Sequence, residues 1–297
     1  VGTGKTVTVN SITLADGSGL AANYSISAGQ TTTAHISPKS LTVSGNTASN
    51  KVYDSNSSAT VSVTLSGFVG SETLTYTNSS SFNNKNVGTG KTVTVDSITL
   101  ADGNNGGLAS NYSITPGQTT TANITAKSLI ISGIIASSKT YNGSTSATLD
   151  TSAILYSGLI PGDIFDGSYT GAFSNANVGT GKTVTITSSY TGADVSNYSI
   201  TNQTSTTADI SAKALTATAS ASNKTYNATN SASVTLTLSG LVGSETLGST
   251  NTSTFNNKNV GTGKTVTVNS ITLADGSGLA ANYSISSGQT TTANIIA

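Results

Sequence analysis

Cysteine, methionine, tryptophan and arginine are all missing from this 297-residue chain, which also has only three prolines and one histidine. Each absence removes a class of explanation. Without cysteine there are no disulfides and no thiolate-held metals, so stability must come from packing and strand pairing. Losing cysteine and methionine together also removes the most oxidisable side chains, which suits life outside the cell. Charged residues make up 8% of the chain, every cation is lysine, and the formal net charge is zero. That argues against nucleic acid, whose phosphates call for a basic stripe, and against a polybasic membrane contact. No run of about 18 apolar residues is present to span a membrane. The chain shows no signal peptide and no initiator methionine. Its start at Val1 falls in mid-repeat, so it reads as a slice of something longer, with any targeting segment outside it.

What the chain does contain is repetition. Val-Gly-Thr-Gly-Lys-Thr-Val-Thr begins at Val1, Val87, Val178 and Val260, and residues 1–27 recur letter for letter as 260–286. A second marker, Lys-Ser/Ala-Leu, falls at Lys39, Lys127 and Lys213. The unit is 82–91 residues long, giving three complete copies and a half. Boundaries follow at 1–38 (the C-terminal half of a repeat), 39–126, 127–212 and 213–297. Each full copy is large enough to bury its own core, unlike the short units of a solenoid. Hydrophobic residues reach 35%, and Val, Ile and Leu alternate with Thr and Ser, so the chain is expected to fold and not to stay disordered.

The alternation has period two, as in Lys91-Thr-Val-Thr-Val-Asp-Ser-Ile-Thr-Leu100, and Gly, Asn, Asp and Ser punctuate it. In Lys39–Ala126 it predicts strands near 40–44, 59–66, 73–82, 90–100, 110–115 and 119–125. Six or seven short strands in under 90 residues indicate an all-β fold of tandem immunoglobulin-like β-sandwich repeats. The linkers at Ala126-Lys127 and its counterpart are too short to be flexible, so the repeats are expected to form an elongated rod. Residues 1–38 alone should expose unpaired strand edges. Either the sequence is cut there or another chain supplies the missing strands.

Several motifs invite chemistry. Gly88-Thr-Gly90-Lys91-Thr92 holds the Gly-Lys-Thr of a phosphate loop, but the required upstream glycine is Lys85, Ala176 or Lys258 in the three copies, and a strand follows where a helix is needed. It reads instead as a glycine-rich turn entering a strand, followed by an exposed lysine. Lys-x-Tyr-Asp/Asn-x-x-x-x-Ala recurs at Lys51, Lys139 and Lys224, with Tyr53, Tyr141 and Tyr226. Its small and Asx residues indicate a turn anchored by tyrosine, with sugar stacking on the ring as the functional rival. Acids recur at Glu72, Asp163 and Glu245, and at Asp16, Asp102, Asp194 and Asp275. One or two per repeat cannot supply the six to eight oxygens of calcium without much help from backbone and water. The single His35 corresponds to Asn123, Asp209 and Asn294, so it is not a repeated metal or catalytic group. Lysine beside Asn or Asp raises the question of an isopeptide crosslink, which needs a buried acid nearby. Sequons are frequent, among them Asn23, Asn56, Asn111, Asn197 and Asn282. No catalytic, cofactor-binding or metal residues are assigned, no cofactor is expected, and the chain reads as not an enzyme.

Taken together, the Lys-x-Tyr-Asp-like turn, Asn-Val-Gly-Thr-Gly-Lys, Asn-Tyr-Ser-Ile and the Thr-Thr-Ala-x-Ile-x-x-Lys-x-Leu junction resemble the YDG repeat. That repeat is related to the mostly bacterial immunoglobulin-like (MBG) modules of large secreted, filamentous-haemagglutinin-like adhesins. The resemblance covers the whole chain, although the three-letter core is Tyr53-Asp-Ser, Tyr141-Asn-Gly and Tyr226-Asn-Ala here. It implies an extracellular or bacterial cell-surface protein, a non-catalytic stalk or fibre, with glycosylation admitted at its sequons. The expected partners are neighbouring repeats or identical chains in a fibre, with no nucleic acid and no membrane span. The alternatives are a filament joined by strand complementation through the half-repeat, and an adhesive module for host or matrix glycans.

Overall fold

A computed structural model describes residues 1–297. It is all β, and the only helical pieces are four single 3₁₀ turns, such as Ala109–Asn111 and Ala280–Asn282. The third repeat shows the architecture in full. One sheet places Lys213–Ala221 between Val234–Ser239, antiparallel, and Tyr283–Ile285, parallel. The other runs Lys224–Thr225, Thr290–Ile296, Gly261–Asp275, Leu247–Phe255, with only the first pairing parallel. Seven strands in two sheets enclose Phe255, Val266, Ala293 and Ile295, packed against Ala221, Ala232 and Val234. Phe255, Val266 and Ile295 are at most 1% exposed, and burying each side chain contributes about 1.5–3 kcal/mol. The strand count and two-sheet core match the immunoglobulin-like expectation. The order is its own, because the first long strand sits centrally between the third and the sixth.

The first repeat repeats this plan. Its strands are Lys39–Ser40, Thr42–Ala48, Lys51–Val52, Val61–Ser66, Leu74–Phe82, Gly88–Asp102, Tyr112–Ser113 and Thr119–Thr125. Three features differ from the sequence expectation. The opening strand continues to Ala48, and the two-residue strand Lys51–Val52 pairs in parallel with Ile124–Thr125. The Gly-Thr-Gly-Lys string is also not a turn before the strand; it lies inside it as a β-bulge. The register slips by one residue between Gly88↔Ile124 and Lys91↔Ala122, and Gly90 adopts φ +60°.

Residues 1–38 form an antiparallel pair, Gly2–Thr8 with Thr31–Ile36. The rest of the segment is irregular and almost wholly exposed.

The chain packs as two compact units. One comprises 1–127 with 160–163 and 196–199; the other comprises 128–159, 164–195 and 200–297. Residues of the second repeat therefore contribute to both units. In the second unit one apolar cluster takes in Tyr141, Phe173, Val184 and Ile210 of the second repeat together with Leu215 and Tyr283 of the third.

Candidate functional site at the repeat junctions

The repeated motifs converge on two constructions, a lysine-centred turn and the contact between one repeat and the next. In the turn, the lysine of Lys-x-Tyr folds back onto the residues after it. Lys51 Nζ donates to Asp54 Oδ1 at 2.7 Å, to the Asn56 and Ser58 carbonyls at 2.8 and 3.0 Å, and to Asn56 Oδ1 at 3.0 Å. Lys139 and Lys224 do the same with Asn142 and Asn227, each at 3.0 Å, and with the carbonyls of Ser144, Ser146, Thr229 and Ser231. Each ammonium lies 5.2–5.6 Å from the ring centre of a core phenylalanine, Phe82, Phe173 or Phe255. The ammonium thus acts as the internal cation of a cage of oxygens. Desolvation pulls the Lys139 pKa below its ordinary value. Burial alone would raise the Asp54 carboxyl, but Lys51 and the Asn56 backbone N–H outweigh it and hold the pKa low. Asparagine serves equally in the other copies because only an acceptor oxygen is needed. The lysines meet Asp or Asn by hydrogen bonds, and the ion pairs are Lys51–Asp54 and Lys85–Asp163.

In the first two turns the tyrosine two residues after that lysine, Tyr53 or Tyr141, meets the next repeat. In the second unit Tyr141 Oη donates to Glu245 Oε1 at 2.7 Å, and Tyr283 Oη donates to Oε2 of the same carboxylate at 2.5 Å. The two rings meet edge to face, 5.3 Å apart at 78°. The Val242 N–H donates to Tyr283 Oη at 2.9 Å. Alongside, the Val178 N–H donates to Asn282 Oδ1 at 2.9 Å, and Asn282 Nδ2 donates to Asn177 Oδ1 at 3.1 Å.

The first unit holds a second version. Tyr198 Oη donates to Asp163 Oδ2 at 2.5 Å, and the Tyr53 and Tyr198 rings lie edge to face at 5.6 Å. Ser55 Oγ donates to Asp163 Oδ1 at 2.8 Å, with Lys85 Nζ 3.5 Å away. The Val87 N–H donates to Asn197 Oδ1 at 2.9 Å. The Tyr141 hydroxyl is pushed up to about 12, first by its bond to Glu245 and then by burial. Tyr198 also rises to about 12, chiefly through burial and then through Asp163.

These positions decide how the sequence candidates are used. Tyr53 and Tyr141 are 1% and 5% exposed, so neither offers a ring for a sugar; Tyr226, at 46%, is the exception. Asn197 and Asn282 are 1% and 2% exposed and occupied at the junction, which removes them as glycosylation acceptors. Glu72, Asp163 and Glu245 each accept a tyrosine hydroxyl. Asp16, Asp102 and Asp275 accept the N–H of Ala21, Ala109 and Ala280 at the start of a 3₁₀ turn, and Asp194 accepts that of Ile164. No three His, Asp or Glu residues gather in a way that could hold a metal ion. His35 accepts the Gly4 N–H at 3.0 Å, as Asn123, Asp209 and Asn294 accept those of Gly90, Gly181 and Gly263 at 2.7 Å. It is a stand-in that closes the bulge. Lys91, Lys182 and Lys264 are not exposed after the bulge but tie back to Asn84, Asn175 and Asn257 at 2.6–2.7 Å. Their stems cross the first glycine, where a Cβ at Gly88 would stand 3.3 Å from Lys91. The Asn-Tyr pair and the acid were visible as recurrences, but their meeting across a junction was not.

The sequence model of the YDG domain matches residues 37–122, 125–208 and 211–293. The chain belongs to the YDG domain family. No curated protein matches it. The turn that carries the three family letters explains why a glycine suits the last of them. In the YDG repeats here, Gly143 has φ +74°, and its counterparts Ser55 and Ala228 are held at +65° and +62°, a region costly to residues with a Cβ.

Proposed function

We propose that this chain is a non-catalytic structural region of a bacterial surface adhesin, an extracellular stalk or fibre of tandem YDG repeats. The observation that carries this reading is the use of the repeated polar residues. Tyrosine, acid and asparagine bond one repeat to the next, and the lysines bond their own turns. The conspicuous side chains are thus consumed in holding repeats together, as suits a spacer whose output is length. Removing one repeat in frame from the native surface protein is expected to shorten the distance between the cell and an antibody-labelled distal end, with no other loss. An unchanged distance would reject the stalk.

A further inference from the structure

We infer that the chain forms a two-fold dimer through an open sheet edge in its third repeat, the strand Val234–Ser239 of one molecule pairing antiparallel with the same strand of another. This goes beyond the stalk reading and does not depend on it. Val234–Ser239 ends its sheet, with Lys213–Ala221 as its one neighbouring strand. The Ser233 carbonyl accepts the Ser222 N–H of that neighbour. Backbone direction alternates along a strand, so the N–H and carbonyl groups of Val234, Leu236 and Leu238 face outward from the sheet. The Val234 carbonyl accordingly accepts Asn251 Nδ2, from the opposite sheet, at 2.9 Å.

The first repeat is the control. Its equivalent strand, Val61–Ser66, also ends a sheet, beside Thr42–Ala48, and Asn78 Nδ2 holds the Val61 carbonyl at 3.1 Å in the same way. Two residues on, the repeats part. Tyr76 reaches across from the other sheet, and its hydroxyl donates to the Val63 carbonyl and accepts the Val63 N–H at 3.3 Å. Both outward groups of Val63 are thus taken, and Val61 and Val63 are each 6% exposed. The third repeat has Ser249 where the first has Tyr76, and Leu236 where it has Val63. Serine is too short to reach. The outward groups of Leu236 bond nothing, and Val234 and Leu236 are only half-buried. The second repeat is protected differently, because its edge strand Leu155–Ser157 has three residues, too few to template another strand. Contacts from one repeat to the next lie elsewhere, at Tyr53 and Val87 and at Tyr141 and Val178, so a neighbouring repeat does not cover this edge.

What fits the edge is the edge itself. Val234–Ser239 holds no charge and no proline, the devices that keep edge strands apart. With the two-fold at Leu236, the Leu236 N–H of each molecule meets the Leu236 carbonyl of the other, and Val234 lies opposite the partner's Leu238. The Val234 carbonyl has a second lone pair, so Asn251 keeps its bond. Opposed residues share a face, which turns the Val and Leu side chains of both strands inward over the space beside Ser249. On the solvent face Thr235 lies opposite the partner's Thr237, a pairing that stabilises antiparallel strands. The same patch is used on both molecules, so the contact closes as a dimer.

The test is sedimentation velocity on the full chain across a wide concentration range, where the parent is expected to pass from monomer to dimer. Ser249→Tyr copies the block of the first repeat and should leave a monomer, with circular dichroism checking the fold. A second pair of variants reads the register without touching the core. Thr235 and Thr237 are exposed. Replacing both with lysine sets like charges opposite one another twice across the two-fold and should weaken the dimer about tenfold. Thr235→Lys with Thr237→Glu sets opposite charges there and should restore it. A parent that stays monomeric, a dimer unchanged in Ser249→Tyr, or one that the lysine pair does not weaken overturns the proposal. If Ser249→Tyr misfolds, the two charge variants decide it.

Discussion

At the scale of single residues, positions that look interchangeable in the sequence separate by backbone geometry and by what a hydrogen bond faces. Ala228 is held at φ +62° where the second repeat has Gly143. Its methyl makes the left-handed conformation costly, so Ala228→Gly is expected to stabilise the third repeat by about 1 kcal/mol, after allowing for the added freedom of glycine in the unfolded chain. A urea midpoint that moves down would contradict this. Lys139→Met keeps an apolar stem beside Phe173 and removes the donor to Asn142, Ser144 and Ser146. Losing hydrogen bonds from a charged donor should cost about 2–3 kcal/mol, read in the same titration. The junction tyrosines add a pH dependence. Folding raises Tyr141 and Tyr198 to about 12, above the unfolded value of about 10, so the folded chain retains protons that the unfolded chain releases. Their contribution is complete below pH of about 10 and is lost as pH climbs toward about 12. Denaturation midpoints should fall through that window, and less steeply in Tyr141→Phe. A flat profile would mean that the hydroxyls are not held as described.

At the scale of elements, the chain carries its own controlled comparison. Residues 1–27 and 260–286 are identical, yet the strand that starts in each runs only to Thr8 in one and to Asp275 in the other. In the third repeat Leu247–Phe255 lies along the strand for nine paired positions; the first copy has only Thr31–Ile36 beside it. Pairing and burial therefore set the length of the strand, and intrinsic propensity cannot, because it is the same in both. Amide hydrogen exchange should show this directly, with residues 10–16 exchanging rapidly and 269–275 protected; equal protection would refute it. The comparison also shows why much of the fold was legible in the sequence. Period-two alternation placed the longer strands of Lys39–Ala126 to within a few residues, because each has one face on a core. Lys51–Val52 was not legible, since two residues carry no period. The bulge was misread as a turn because Gly88 and Gly90 signal a departure from regular backbone without saying whether the partner strand continues across it. The junction was hidden for another reason. Tyr141 and Glu245 are 104 residues apart, and recurrence shows that each matters without showing that they meet.

At the scale of the molecule, the question is whether the repeats unfold one by one. The third repeat has two apolar clusters. One, around Phe255, Val266 and Ile295, belongs to it alone. The other joins its Leu215, Val242 and Tyr283 to Tyr141, Phe173 and Val184 of the second repeat. In a linear array, stability is a sum of intrinsic and nearest-neighbour terms, and here the neighbour term includes a shared core as well as the Tyr141–Glu245–Tyr283 bonds. Exposing that surface by unfolding one repeat would strip buried contacts from the other, so the second and third repeats are expected to melt in a single calorimetric transition. Val242→Asp tests the cause. It places a charge in the shared cluster, where burial without a partner is costly, and leaves the cluster around Phe255 untouched. The third repeat should then keep its fold but separate from the second, turning one transition into two with the smaller at lower temperature. Two transitions already present in the parent would show that the shared cluster does not couple the repeats. A single transition that merely shifts in Val242→Asp would place the coupling in the hydrogen bonds of the junction and not in its apolar packing.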